Sequence, residues 1–114
     1  METRRERFDA LVLDAGDRVR PHLGTRYADL QLAVEDVPPL DPAPWEEQAA
    51  PLGRLLRGTA ARPDRVVVYR RPVEARAQDD QDLADIVREV VTEQVAALLG
   101  VPPHEIDPSI DPDR

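Results

Sequence analysis

The sequence predicts an α+β fold, with a small mixed, twisted sheet packed on an N-terminal helix and a long C-terminal helix. Two observations carry this reading. Apolar residues recur at helical spacing at both ends of the chain, and between them lie one alternating run and one β-branched run. At 114 residues the chain reads as a single domain, 1–114, with room for one modest core and a frayed tail at 107–114.

The first helix spans roughly Thr3 to Arg20. Phe8, Leu11, Val12, Ala15 and Val19 fall on one face, and Thr3 with Glu6 fits a capping box. Pro21 is placed to stop it, and the residues from His22 to Arg26 read as a turn or short helical loop. Leu30 to Asp36 alternates apolar and polar, the pattern of a half-buried strand. Val37 to Pro63 opens with five prolines between Pro38 and Pro51 and reads as a surface loop of extended backbone. Within it Pro44 could start a short helical turn, and Trp45, the only tryptophan, is expected to anchor the loop to the core. Gly53 to Arg57 suits a short strand. Arg65 to Arg70 is the clearest strand, β-branched and apolar on both faces, with Pro72 placed to stop it.

The long helix runs from Asp79 to Gly100. Asp79, Asp80 and Asp82 sit where the helix dipole favours negative charge, and Gly100 followed by Pro102 and Pro103 ends it. His104 to Asp107 reads as a short turn. Leu83, Ile86, Val87, Val90, Val91, Val95 and Leu98 form an apolar face. At roughly 100° per residue, Gln94 lands near the centre of that face and Glu93 on its edge. An amide there must be hydrogen-bonded or cost a few kcal/mol. Polarity in that place marks a helix on which a site is, or once was, built. The ordinary explanation of Gln94 is a buried amide bonded to a neighbouring strand, and that of Glu93 a helix-edge carboxylate paired with an arginine.

Composition excludes several classes. A net charge of −8 argues against a nucleic-acid partner, because phosphate contacts need a positive surface. No apolar run approaches the length of a membrane span, and METRRERF has no hydrophobic stretch behind its arginines, so no membrane partner and a cytoplasmic location are expected. The chain has no cysteine, hence no disulfide framework and no thiolate ligand or nucleophile. All 15 basic residues are arginine, a bias that suggests GC-rich bacterial coding. The Asp79-Asp80-x-Asp82 cluster lacks the central glycine and closing glutamate of a calcium loop. No Ser/His/Asp or Cys/His set and no phosphate loop are present. His22 belongs to no motif.

The stretch VVVYRRPVE, followed after fifteen residues by VVTEQVAALLGV, resembles the small bacterial zincin-like metallopeptidases. In that family a strand of the type apolar-x-apolar-Tyr-Arg-x-Pro-apolar-Glu leads into a helix carrying His-Glu-x-x-His-x-x-Gly. Val66 to Glu74, including Tyr69 and Arg70, fits the strand signature, and Asp79 to Val101 fits the helix. Leu30 to Pro39 and Arg5 to Leu13 fit looser N-terminal features. The resemblance implies a minimal zincin-like fold and a zinc-dependent peptidase. Two histidines at i and i+4 hold one zinc ion, and the glutamate between them takes a proton from the bound water.

This chain departs from the motif. With Gly100 matched to the family glycine, Glu93 stands at the first histidine position, Gln94 at the general base, Ala97 at the second histidine and Pro103 at the third ligand, with His104 adjacent. Glu93 could ligate a metal, and Ala97 cannot. Gln94 has no carboxylate to accept a proton. The resemblance therefore implies a family member that has lost zinc binding and catalysis. The expected function is a module that binds a peptide or protein partner in the former cleft, with no cofactor beyond the zinc of the family. His104 and Tyr69 are the remaining candidates for a site. The alternatives are an active zinc-dependent peptidase with an atypical site, and an acidic structural or homodimeric protein with no cleft function.

Overall fold

The structure, a computed structural model, describes residues 1–39 and 51–111. Trp45 and the helical turn expected at Pro44 lie outside the described residues. Helix α1 spans Arg4–Val19. Thr3 and Glu6 close the expected capping box, the Thr3 hydroxyl accepting from the Glu6 N–H at 3.1 Å and the Glu6 carboxylate from the Thr3 N–H at 3.3 Å. The α-helix ends at Val19, just before Pro21, as expected. Pro21 sits inside a 3-10 turn, Arg20–His22, where its missing N–H is not needed.

Three strands follow: β1 (Gln31–Glu35), β2 (Gly53–Leu56) and β3 (Arg65–Tyr69). They form a mixed sheet in the order β1-β3-β2, with β1 parallel and β2 antiparallel to β3. The alternating strand is therefore an edge, and the β-branched strand is the buried centre, as their patterns require. Leu32, Val34, Leu55, Val66 and Val68 turn towards the core formed with α1 and the long helix. Val67 and Tyr69 point to the opposite face and are also buried, 1% and 3% exposed.

Pro72 does not stop β3. The strand has already ended at Tyr69, and Arg70 begins a short helix, α2 (Arg70–Arg76). Pro72 lies in its first turn, where no intrahelical N–H is required. Arg70 ties this junction together. Its Nε donates to Asp36 at 3.1 Å and its Nη1 to Glu74 at 2.9 Å. Asp36, just past β1, also accepts from Arg5 of α1 at 2.8 Å. The Arg70 hydrogen bond, reinforced by the charge of Arg5, holds the Asp36 carboxyl below its ordinary value.

The long helix α3 spans Asp80–Leu99. The Asp79 carboxylate caps it by accepting the Asp82 N–H at 2.7 Å, and Gly100 ends it in the left-handed conformation at φ 71°. The expected turn after it is helical: α4 covers Pro103–Ile106. The chain from Asp107 to Asp111 is folded back rather than frayed. The Asp107 carboxylate accepts from the Ser109 hydroxyl at 2.7 Å and N–H at 3.0 Å and pairs with Arg88 of α3 at 3.4 Å, and Ile110 is buried. The Ser109 hydrogen bonds, then the charges of Arg88 and Arg18, hold the Asp107 carboxyl below its ordinary value. No helix among the described residues is long and apolar enough to cross a membrane.

Candidate functional site

A groove of about 310 Å³ lies where α3 passes the outer edge of β2. Its floor is Leu52, Gly53, Ile86 and Val90. Gly53 makes the close packing there possible. A Cβ at this position would stand 2.5 Å from Val90 Cγ1, 3.0 Å from the Val67 carbonyl oxygen and 3.8 Å from Gln94 Cγ. The rim is polar, formed by Arg76 at the end of α2 and by Glu89, Glu93 and Gln94 of α3.

The hydrogen-bond phase of β2 fixes which main-chain groups face the edge. Tyr69 N–H donates to the Leu52 carbonyl at 3.0 Å. Alternation from that pair places Arg54 and Leu56 in bonded pairs with Val67 and Arg65. The N–H and C=O groups of Gly53 and Leu55 therefore point outward. Among the described residues no strand pairs with them. The groove thus adjoins a strand edge that no other described strand pairs with.

The structure separates the residues singled out from the sequence. Glu93 is exposed and Gln94 half-buried, and both line the groove. Gln94 is not at the centre of the buried face. The buried polar side chain of α3 is Thr92, 2% exposed, beside Val91, Val95 and Ala96. The phase differs because α3 is covered on two sides, by the sheet and by α1, and the middle of that wider face falls nearer Val91 and Val95. Ala97 is exposed, and its carbonyl accepts from Arg57 Nη2 at 3.5 Å. Tyr69 is buried at the end of β3. Pro103 and His104 are half-buried on α4, outside the groove lining. The end of α4 is held by the Asp107–Arg88 pair, and Arg88 is turned roughly 140° around α3 from Glu93. Gly53, Arg76 and Glu89 were not legible as site residues. Glu89 alone left a trace, one turn before Glu93 on the same flank.

The donor set does not fit the zinc that a His-Glu-x-x-His helix would hold. Glu93 offers one carboxylate, whereas Ala97 and Pro103 offer no side-chain donor. Among the described residues no three His, Cys, Asp or Glu side chains converge to hold a metal ion. A zinc site needs three or four such ligands.

The helix–sheet arrangement is that of a minimal zincin, with a strand edge running beside the helix that bears the motif positions. The family model described as zincin-like metallopeptidase matches residues 27–110, and the chain belongs to that family. Among solved structures it is similar to a conserved hypothetical protein from Thermo thermophilus, at 18% identity and a TM-score of 0.62 over 84% of this chain and 94% of the other. That likeness concerns the fold. No curated protein matches the chain.

Proposed function

We propose that this protein is a zincin-like family member that has lost zinc binding and catalysis and binds an extended peptide segment in the groove between α3 and β2. The observation that carries this reading is the outward-facing main chain of Gly53 and Leu55 beside an apolar-floored groove. An extended segment laid along this edge completes the main-chain hydrogen bonds of β2, and its alternate side chains enter the groove. The rim chemistry supports binding over hydrolysis. Gln94 stands where a general base is required and cannot accept a proton, and Ala97 removes one of the two helical ligands.

Two measurements test the reading. Elemental analysis of the purified protein, after equilibration with zinc and dialysis, is expected to find far less than one zinc per chain. Near-stoichiometric zinc restores the peptidase reading. Selection from a random peptide library with the whole chain is expected to yield extended binders. Gln94→Trp, which fills the groove from its rim, weakens them by about 10-fold or more. Binders indifferent to Gln94→Trp place recognition elsewhere.

A further inference from the structure

The opposite edge of the sheet carries a second surface, independent of the groove. Gln31 N–H donates to the Asp64 carbonyl at 3.0 Å. In a parallel ladder that phase turns Gln31, Ala33 and Glu35 towards β3 and leaves the N–H and C=O groups of Leu32 and Val34 pointing outward. Among the described residues no strand pairs with them.

Helix α1 lies above this edge, and its contacts fix which flank is free. Arg7 pairs with Asp80 at the start of α3, and Arg18 lies on the same side, its charge acting on Asp107. That flank therefore faces α3. Gly16 faces β1, where an added Cβ would meet the Leu32 side chain, and Arg5 reaches Asp36 just past β1. The remaining flank overlooks the open edge and carries Leu13, 64% exposed.

We infer that β1 and Leu13 form a two-fold interface with a second copy of this chain, the two β1 strands pairing antiparallel about Ala33. The strand reads Gln-Leu-Ala-Val-Glu, which is polar-apolar-small-apolar-polar in either direction. Centred on Ala33, Leu32 of each copy exchanges main-chain bonds with Val34 of the other. Gln31 then stands opposite Glu35, amide against carboxylate, in two equivalent pairs. The neighbouring registers lose this pairing. Centring on Leu32 sets Asp29 against Glu35, two like charges, and centring on Val34 sets Gln31 against Val37 and Glu35 against Ala33. The Ala33 register also brings the two α1 flanks together across the axis, covering Leu13, and joins the two sheets into one of six strands. The occupant is a second copy because the edge is complementary to itself and the apolar residue beside it lies on the same side.

Sedimentation equilibrium of the whole chain over a range of concentrations tests this. A species of twice the 12.8 kDa chain mass is expected. Leu13→Glu and Gln31→Glu each weaken the dimer by about 10-fold while leaving the circular dichroism unchanged, both positions being exposed. Adding Glu35→Arg to Gln31→Glu restores association, a rescue that loss of folding would not give. The chain has no cysteine, so Ala33→Cys supplies a clean second readout. The two Ala33 residues form a non-hydrogen-bonded pair with Cα atoms about 4.5 Å apart, within disulfide reach, and air oxidation is expected to give a covalent dimer. A wild type that stays monomeric at the highest concentration reached overturns the inference. So does a dimer insensitive to Leu13→Glu and Gln31→Glu, or an Ala33→Cys chain that forms no covalent dimer.

Discussion

Arg70 Nη1 donates to the Glu74 carboxylate at 2.9 Å, one turn along the same short helix, with the arginine side chain only 12% exposed. The arginine of the family strand signature thereby holds α2 closed just after the strand ends. Arg70→Ala leaves the half-buried Glu74 without this partner and is expected to cost about 2 kcal/mol. Arg70→Lys recovers only part of the loss, because one ammonium cannot reproduce the planar fork that serves two carboxylates. Urea titration of the three chains checks the order wild type, Lys, Ala.

Acid should destabilise the fold through two aspartates. Asp36 is held below its ordinary value first by the Arg70 hydrogen bond, and Asp107 first by the Ser109 hydroxyl. For a carboxyl with a depressed folded value, the stability it contributes is present above the unfolded value. It is lost as the pH falls through the folded one. The urea midpoint is therefore expected to fall steeply below about pH 4. The Asp36→Asn, Asp107→Asn double variant should start from a lower plateau and lose less over the same range. Equal slopes for the two chains would show that these carboxyls are not perturbed by folding.

Two glycines are expected to resist substitution for different reasons. A Cβ at Gly58 would meet main-chain atoms, the Arg62 carbonyl oxygen, the Pro63 carbonyl carbon at 2.6 Å and the Asp64 nitrogen at 2.7 Å. None of these can swing aside, so Gly58→Ala is expected to cost about 3 kcal/mol, the upper range for overpacking. Gly100, at positive φ with open space around its Cα, carries only a conformational penalty. Gly100→Ala is expected to cost about 1 kcal/mol. Thermal melts of the two variants side by side give the comparison.

Restoring the helix motif tests the descent of the groove from a metal site. Glu93→His, Gln94→Glu and Ala97→His together put two imidazoles one turn apart and a carboxylate between them, on a helix flank that is exposed or half-buried throughout. The triple variant is expected to bind zinc more tightly than wild type, but weakly, because Pro103 supplies no third donor. Isothermal titration decides it. Equal affinities would mean that positions 93 and 97 do not converge, and that the alignment through Gly100 is wrong.

The elements of the fold were largely legible because each is specified locally. Thr3 and Glu6 mark the start of α1, Asp79 and Gly100 bound α3, and three adjacent valines mark the central strand. The prolines were legible unequally: Pro21 does follow the end of α1 at Val19, whereas Pro72 reads as a strand breaker yet occupies the first turn of α2. The stretch 107–111 was also misread, since the Asp107–Arg88 pair and the Ser109 turn are what fold Ile110 inward. Of the motif positions, Glu93 and Gln94 line the groove while Ala97 and Pro103 do not, and the groove itself could not be read from the sequence. Its floor depends on Gly53 lying against Val90, a contact between residues 37 apart whose meaning comes only from the sheet order. The position of Gln94 was misjudged for a related reason. Helical spacing gives the phase of an apolar face but not how many neighbours share it, and α1 widens the buried side of α3 towards Thr92.

The central place of β3 has a kinetic consequence. Its amides are bonded alternately to β1 and to β2, so neither neighbour alone can release them all. Opening of the four-residue β2 frees Arg65, Val67 and Tyr69 to exchange with solvent while Val66 and Val68 stay closed against β1. Fraying of β1 does the reverse. Deuterium uptake along five consecutive residues therefore reports the two edges of the sheet separately. A ligand that settles on β2 would slow the odd-numbered amides and leave the even-numbered ones at their former rate.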